Sequence, residues 1–375
     1  MMITRVPNFR NPMLNRVAQG DMSLFEEEHD FTYTIRKRGS DWNALIIAAT
    51  KGYLDLVNAL LEIDTVSTSA AAMDNMALRG AACEGHLEVV NRLLEIDAVI
   101  ANATASYNQA LIEAAYYGHL EVVNRLLEID AVIVNAAAAG NWALRGAAVN
   151  GHLAVVNRLL KIDEVRVNAS ASNSDALRGA AENGHLEVVN RLLEIDEIKE
   201  NVTEEDNDAL RGAAKNGHLE VVNRLLEIDE VRENTAARNN YALILAAANG
   251  HLKVVNRLLE IAEVRVNAAA VDNWALRGAA ENGHLEVVYR LLEINEVRAD
   301  DNEALRLAAE NSHSEVVHAL AKAQWPLGKQ DMSEEMQQYL PLIKIGAQLY
   351  TAKREQERVL MSALQNKSVL TTIGL

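Results

Sequence analysis

The chain repeats itself. The phrase Gly184-His185-Leu186-Glu187-Val188-Val189-Asn190-Arg191-Leu192-Leu193-Glu194-Ile195-Asp196 recurs almost letter for letter, its glycine falling at Gly52, Gly85, Gly118, Gly151, Gly184, Gly217, Gly250 and Gly283. Each step is 33 residues, and a ninth copy, Ser312-His313-Ser314-Glu315-Val316-Val317, follows after 29. Self-similarity at a fixed period of roughly 20–50 residues marks a stack of small units, none able to bury its apolar face alone. As a single globule, 375 residues would suggest two or more domains. The repeat replaces that expectation with a fold that grows by addition.

Each copy reads as two helices. The first begins at an Asn or Asp suited to capping, as in Asn141-Trp142-Ala143-Leu144-Arg145-Gly146-Ala147-Ala148, and stops at Asn150-Gly151. The second runs from His152 to about Leu160 and spaces Leu153, Val155, Val156, Leu159 and Leu160 as one apolar stripe. On its other face Glu88 precedes Arg92 by four, and Glu187 precedes Arg191 by four, which predicts helix ion pairs worth about a few tenths of a kcal/mol. The segment Val165 to Asn173 begins with a β-type alternation and is expected to form an extended finger or loop. Gly80, Gly146, Gly179, Gly212 and Gly278 each cost about 1 kcal/mol inside a helix, so they predict a close approach of neighbouring helices. The arginine before each of them (Arg79, Arg145, Arg178, Arg211, Arg277), with Arg306 in the ninth copy, is expected to form a ladder with neighbouring carboxylates or carbonyls.

Two short helices and a loop in 33 residues, with Gly-His-Leu-Glu-Val-Val opening the second helix, resemble the ankyrin repeat. The resemblance covers residues 41–322, or 8–322 with a degenerate first copy. It departs from the family at three places. Asp208-Ala209-Leu210-Arg211 stands where the family has Thr-Pro-Leu-His. Asp97, Asp130 and Asp196 stand where the family has a Gly after the second helix. Pairs such as Asp206-Asn207 and Asn239-Asn240 replace the Asp-x-x-Gly turn. The implied fold is an all-α, ankyrin-type solenoid with short finger loops, divided into an N-terminal cap over 1–40, nine repeats over 41–325 and a helical tail over 326–375. Gly20 lies 32 residues before Gly52, in register with a first capping copy. Phe31 to Arg38 alternates apolar and polar residues and is expected to run extended. In the tail, Ser333-Glu334-Glu335 reads as a helix start, Pro341 as punctuation, and Ile345, Leu349, Val359, Leu360 and Leu364 as a loose helical stripe. Capping of the last repeat is favoured over binding of a partner helix.

Charge and chemistry narrow the function. The net charge is −17, while residues 1–40 and 326–375 each hold six Lys/Arg against five Asp/Glu, so the repeats carry about −19. That disfavours nucleic acid and anionic membranes, and leaves a basic protein partner open. The single cysteine, Cys83, allows no internal disulfide. His86, His119, His152, His185, His218, His251 and His284 hold one place in successive repeats, about 10 Å apart, whereas a zinc ion needs ligands near 2 Å. They read as structural. No phosphate-binding glycine loop, nucleophile elbow or metal motif is present, so neither catalysis nor a cofactor is expected. Without a leader pattern or a run of 18 apolar residues, a soluble, cytoplasmic, monomeric chain is expected.

The informative positions are those that vary between near-identical copies. The residue before Ala-Leu runs Asn43, Met76, Gln109, Trp142, Asp175, Asp208, Tyr241, Trp274, Glu303. The residue two before the Gly runs Thr50, Cys83, Tyr116, Val149, Glu182, Lys215, Ala248, Glu281, with Glu310 in the ninth copy. In the resembled family such positions line a concave binding face. The resemblance therefore implies one aromatic patch of Tyr116, Tyr117 and Trp142 and a second of Tyr241 and Trp274. Asp175, Glu182, Asp208 and Glu205 are expected to lie between them. Aromatic anchors on a preformed surface are the usual makings of an interface hot spot. The expected function is non-enzymatic protein binding on that face. Alternatives are a stoichiometric enzyme inhibitor, a tail belonging to an enzyme assembled with another chain, and a passive spacer. Near-identical tandem copies also resemble ankyrin effectors that intracellular bacteria send into a host cell; failure of a tail-fused reporter to translocate would remove that reading.

Overall fold

The computed structural model describes residues 11–26, 35–37, 40–294, 297, 302–324 and 337–365, and in it repeats one to seven contain three helices rather than two. The fourth is representative, with a first helix ending at Val149, a second at Leu153–Leu159 and a third at Asp163–Val167. The finger expected from Val165 onward is thus helical as far as Val167. Asp163 and Glu164 sit in the first turn, where negative charge meets the positive end of the helix, and Val165 is buried beneath. The aspartate standing at the family's glycine opens a helix where glycine would end one, as in Asp97–Ala101, Asp130–Val134 and Asp196–Glu200.

The entry to the first helix also differs from expectation. Helix Ala138–Val149 opens on a left-handed turn, with φ of 53°, 69° and 60° at Ala139, Gly140 and Asn141. Asn141 is therefore not an accepting cap. Its Nδ2 donates to the carbonyls of Val165, at 2.9 Å, and Asn168, at 2.7 Å, tying the start of the repeat to its own third helix. Asn75, Asn108, Asn207 and Asn240 reach Val99, Val132, Val231 and Val264 in the same way. A non-glycine residue in this region costs roughly 1–2 kcal/mol, least for Asn, and these buried amide bonds offset it. Repeat one does use the expected cap, where Asn43 Oδ1 accepts from the Ile46 amide at 2.9 Å.

Stacking follows from thin helices. Ala143, Leu144, Ala147 and Ala148 of the first helix bury fully with Val155, Val156, Leu159 and Leu160 of the second. Between repeats, His152 Nε2 lies 3.0 Å from the Tyr116 carbonyl, an acceptor at the end of the preceding first helix that has no donor within that helix. The His152 ring covers Gly118, where φ is +79° and an added Cβ would fall 2.5 Å from Nδ1. Second helices are linked by Arg158 Nε donating to Asn124 Oδ1 at 2.8 Å. The expected Glu88–Arg92 and Glu187–Arg191 pairs give way to this ladder. Arg92 turns to Asn58 and Glu95, and Arg191 to Asn157 and Glu194, each at 2.8–2.9 Å.

The chain divides into two compact units, Met1–Glu204 and Glu205–Leu375. In the first, helix Pro12–Ala18 is capped by Asn11 and buries Met13, Leu14 and Val17. Tyr53 stands at the repeat's histidine position and donates to the Ala18 carbonyl at 3.4 Å. Strands Ile35–Lys37 and Ser40–Trp42 pair antiparallel with Ile35 opposite Trp42; Phe31 to Thr34 and Arg38 lie outside the described residues. In the second unit, helix Leu340–Gln365 packs on Ser314–Gln324, with Pro341 in its first turn. The two helices meet at Gly346, where a Cβ would fall 1.8 Å from the Ser314 carbonyl oxygen. Ser333 to Glu335, and the side chains of Val359, Leu360 and Leu364, lie outside the described residues.

Candidate functional site

The first helices present the variable positions, and the two units differ in what they show there. In the first unit Trp142 is 48% exposed although its neighbours Ala143 and Leu144 are buried. Tyr116 and Tyr117 meet edge-on with ring centroids 5.0 Å apart, and Tyr117 stacks on His119. Tyr116 also packs on Gly146, where an added Cβ would lie 3.3 Å from its Cβ and Cδ2. Close approach explains the helix-interior glycines. At Gly80 the Thr50 hydroxyl would be 2.1 Å from such a Cβ, and at Gly278 the Ala248 Cβ would be 2.9 Å away.

Asp175 and Glu182 are neutralised rather than left open. Arg145 reaches Asp175 at 2.6 Å from the preceding repeat, Arg178 reaches it at 2.6 Å from its own helix, and Arg178 lies 3.7 Å from Glu182. This is the expected arginine ladder, and it takes up the acid on the first unit's face.

One group here was not anticipated. Glu113 occupies the place that glycine holds in five repeats, and it is 0% exposed. Arg79 approaches its Oε1 at 3.3 Å and Gln109 Nε2 donates to the same oxygen at 3.1 Å, while Oε2 has no partner among the described residues. Burial pushes the Glu113 carboxyl up, and the Arg79 charge opposes that shift. The Cys83 thiol is pushed up to about 12, first by burial and then by the Glu113 charge, which makes it inert as a nucleophile near neutral pH. The signal was present in the sequence, where Ile112-Glu113 interrupts the Arg-Gly pair of the flanking copies.

In the second unit Asp208 is bound by Arg211 at 2.8 Å, and the Arg211 guanidinium lies over the Tyr241 ring, 5.9 Å from its centroid. Tyr241 is therefore already covered by a cation. Trp274 is 49% exposed and borders a groove of about 270 Å³ lined also by Ile244, Arg277, Gly278, Glu281, Glu303 and Leu307. Glu303 is held by Arg306 at 2.5 Å, and that contact, followed by the Arg277 charge, lowers its pKa. Glu310 is also paired with Arg306. The side chain of Glu205 lies outside the described residues. Among the described residues no cluster of three His, Cys, Asp or Glu is placed to hold a metal, and no helix is long and apolar enough to cross a membrane.

Three-helix units stacked through histidine and arginine ladders, with variable residues gathered on the first helices, define a helical-repeat binding scaffold. A family model described as "Ankyrin repeats (3 copies)" matches residues 78–171, 177–270 and 243–331, more than half of the chain. The chain belongs to the ankyrin-repeat family. Ankyrin repeats generally mediate protein–protein interaction, and proteins made of them are typically non-enzymatic. No curated protein matches this chain.

Proposed function

We propose that this chain binds a partner protein through the face of its first helices, with Trp142 and Trp274 as separate anchors, one in each unit. The observation that carries this reading is the exposure of the two indoles, 48% and 49%, in helices whose Ala143, Leu144, Ala147 and Ala148, and Ala275, Leu276, Ala279 and Ala280, are buried. Neither indole makes a hydrogen bond or ring contact among the described residues, so a large apolar surface and one N–H donor stand open at each place. Such residues are over-represented among those that dominate binding energy. The charge of about −19 on the repeats favours a basic partner and a fast, salt-sensitive encounter. The resemblance assigns this face to the concave side of the family's arrays.

The test is affinity capture from a lysate with the full chain beside Trp142→Ala and Trp274→Ala, each checked by circular dichroism for retained helix. A basic protein recovered with the parent and lost with a folded variant supports the proposal. A partner retained by the double variant places the binding site elsewhere.

A further inference from the structure

The groove beside Trp274 has a chemistry of its own, and its inference rests on the protein-binding reading above. Within a unit, the side chain at one position of a first helix meets the variable residue thirty positions later, in the next repeat. Arg145 meets Asp175 this way at 2.6 Å, and Arg211 covers Tyr241 at 5.9 Å. The residue that would cover Trp274 is Ile244, and the residue that would cover Trp142 is Ile112. Where the variable residue is tryptophan, the array withholds its own arginine. The indole, a better cation acceptor than the covered tyrosine, is left without a cation.

The two open indoles are not equivalent. Along the helix from Trp142 the same stripe holds Gly146 and then Val149, and the Tyr116 ring fills the space over Gly146. Along the helix from Trp274 the stripe holds Gly278 and then Glu281, about 10 Å further on at 1.5 Å per residue. At Gly278 the close approach is made by the small Ala248, whose Cβ would lie 2.9 Å from an added Cβ, and the 270 Å³ groove opens beside it. That volume is below the roughly 300–1,000 Å³ of sites that enclose a small molecule. It suits one long side chain. The remaining charges on the groove are accounted for: Glu303 lies under the charges of Arg306 and Arg277. Glu281 is exposed and makes no ion pair or hydrogen bond among the described residues.

We infer that the groove takes one lysine or arginine side chain of the partner. Its alkyl stem lies in the groove lined by Ile244, Gly278 and Leu307, and its cation sits between the Trp274 ring and the Glu281 carboxylate. This occupant supplies the charge that Arg211 supplies to Tyr241. The Trp142 site, with Val149 in place of the glutamate and Tyr116 in place of Ala248, serves as an internal control.

The test is a titration of the full-length, nitrogen-15-labelled protein with capped glycine-rich pentapeptides carrying a central lysine, arginine, norleucine or glutamate. The indole N–H signals are assigned by Trp274→Phe and Trp142→Phe. The Trp274 signal is expected to shift saturably with the lysine and arginine peptides and not with norleucine or glutamate, while the Trp142 signal stays still. Glu281→Gln is expected to weaken the response by about fivefold or more. Ile244→Arg, which installs the residue found at that place in six other repeats, is expected to abolish it by supplying an internal cation. A response to norleucine equal to that of lysine overturns the inference. So does an undiminished response in Ile244→Arg, or no saturable shift up to about 20 mM peptide. A partner captured through Trp274 but indifferent to Ile244→Arg and Glu281→Gln would refute the cation groove and leave the anchor reading standing; a partner indifferent to both tryptophans would remove the anchor reading itself.

Discussion

The Nε2 of His152 lies 3.0 Å from the carbonyl oxygen of Tyr116, 36 residues earlier, and this contact joins one repeat to the last. The same contact recurs at His119 with Cys83, at His185 with Val149 and at His251 with Lys215. A carbonyl acceptor requires the proton on Nε2, which the neutral and the charged ring can both supply. Burial lowers the His152 pKa against the opposing hydrogen bond to the Tyr116 carbonyl, and the neighbouring His119 and His185 reinforce the lowering. The unfolded chain thus takes up the proton first, and stability from this group is present above the ordinary value of 6.5 and lost as the pH falls below it. Urea unfolding should show the parent losing stability between about pH 7 and pH 5 more steeply than His152→Gln. Equal slopes would show that the imidazole is not buried as described.

Glu113 titrates with the opposite sign. Its carboxyl is raised above 4.5 by burial, so folding favours the neutral form and the cost of the charge appears as the pH rises past that value. Glu113→Gln is expected to melt higher than the parent near neutral pH, and the difference should vanish near about pH 4. A pH-independent difference would assign the effect to packing.

The glycines of the first helix should not behave alike. Gly80→Ala places a methyl 2.1 Å from the Thr50 hydroxyl, which is fixed by its own bond to the Ile46 carbonyl. That overpacking should cost about 1–3 kcal/mol in denaturant unfolding, and Thr50→Ala should recover much of it. Gly146→Ala meets Tyr116 at 3.3 Å and gains about 1 kcal/mol of helix propensity, so it should be near neutral. Equal penalties at both positions would contradict the packing.

Asn141 combines a left-handed backbone with two buried bonds, to Val165 and Asn168. Asn141→Ala loses both features and should cost about 2–4 kcal/mol, whereas Asn141→Gly keeps the backbone freedom and should cost less. Calorimetric melting separates the two; an equal loss would remove the conformational contribution.

What could be read in the sequence divides along physical lines. The helix pair in each repeat was legible because Val155, Val156 and Leu159 repeat at a helical period, and the close approach was legible because glycine has no other use inside a helix. The arginine ladder was legible in kind. The third helix was not, because Val165-Arg166-Val167 alternates like a strand over too few residues for the period to decide. Asp163 was the missed signal. The left-handed turn hid behind Asn141, since the same residue type serves as an accepting cap at Asn43 and as a donor here. Asp175 and Glu182 read as open acid because Arg145, which neutralises Asp175, sits in another repeat, and Arg178 serves both carboxylates from their own helix. For the same reason the pairing of Ile112 with Trp142, and of Ile244 with Trp274, lay open in the sequence without meaning. It needs the stacking that sets one residue against the residue thirty places on.

The proposed binding face depends most directly on the accessibility of two indoles. Hydroxyl-radical footprinting of the captured complex, read by peptide mass spectrometry, should show Trp142 and Trp274 oxidised in the lone chain and protected in the complex. Tyr289, 38% exposed on the second helix Leu285–Leu292, should be equally oxidised in both. Indoles that oxidise as fast in the complex as in the lone chain would contradict the assignment of the binding face.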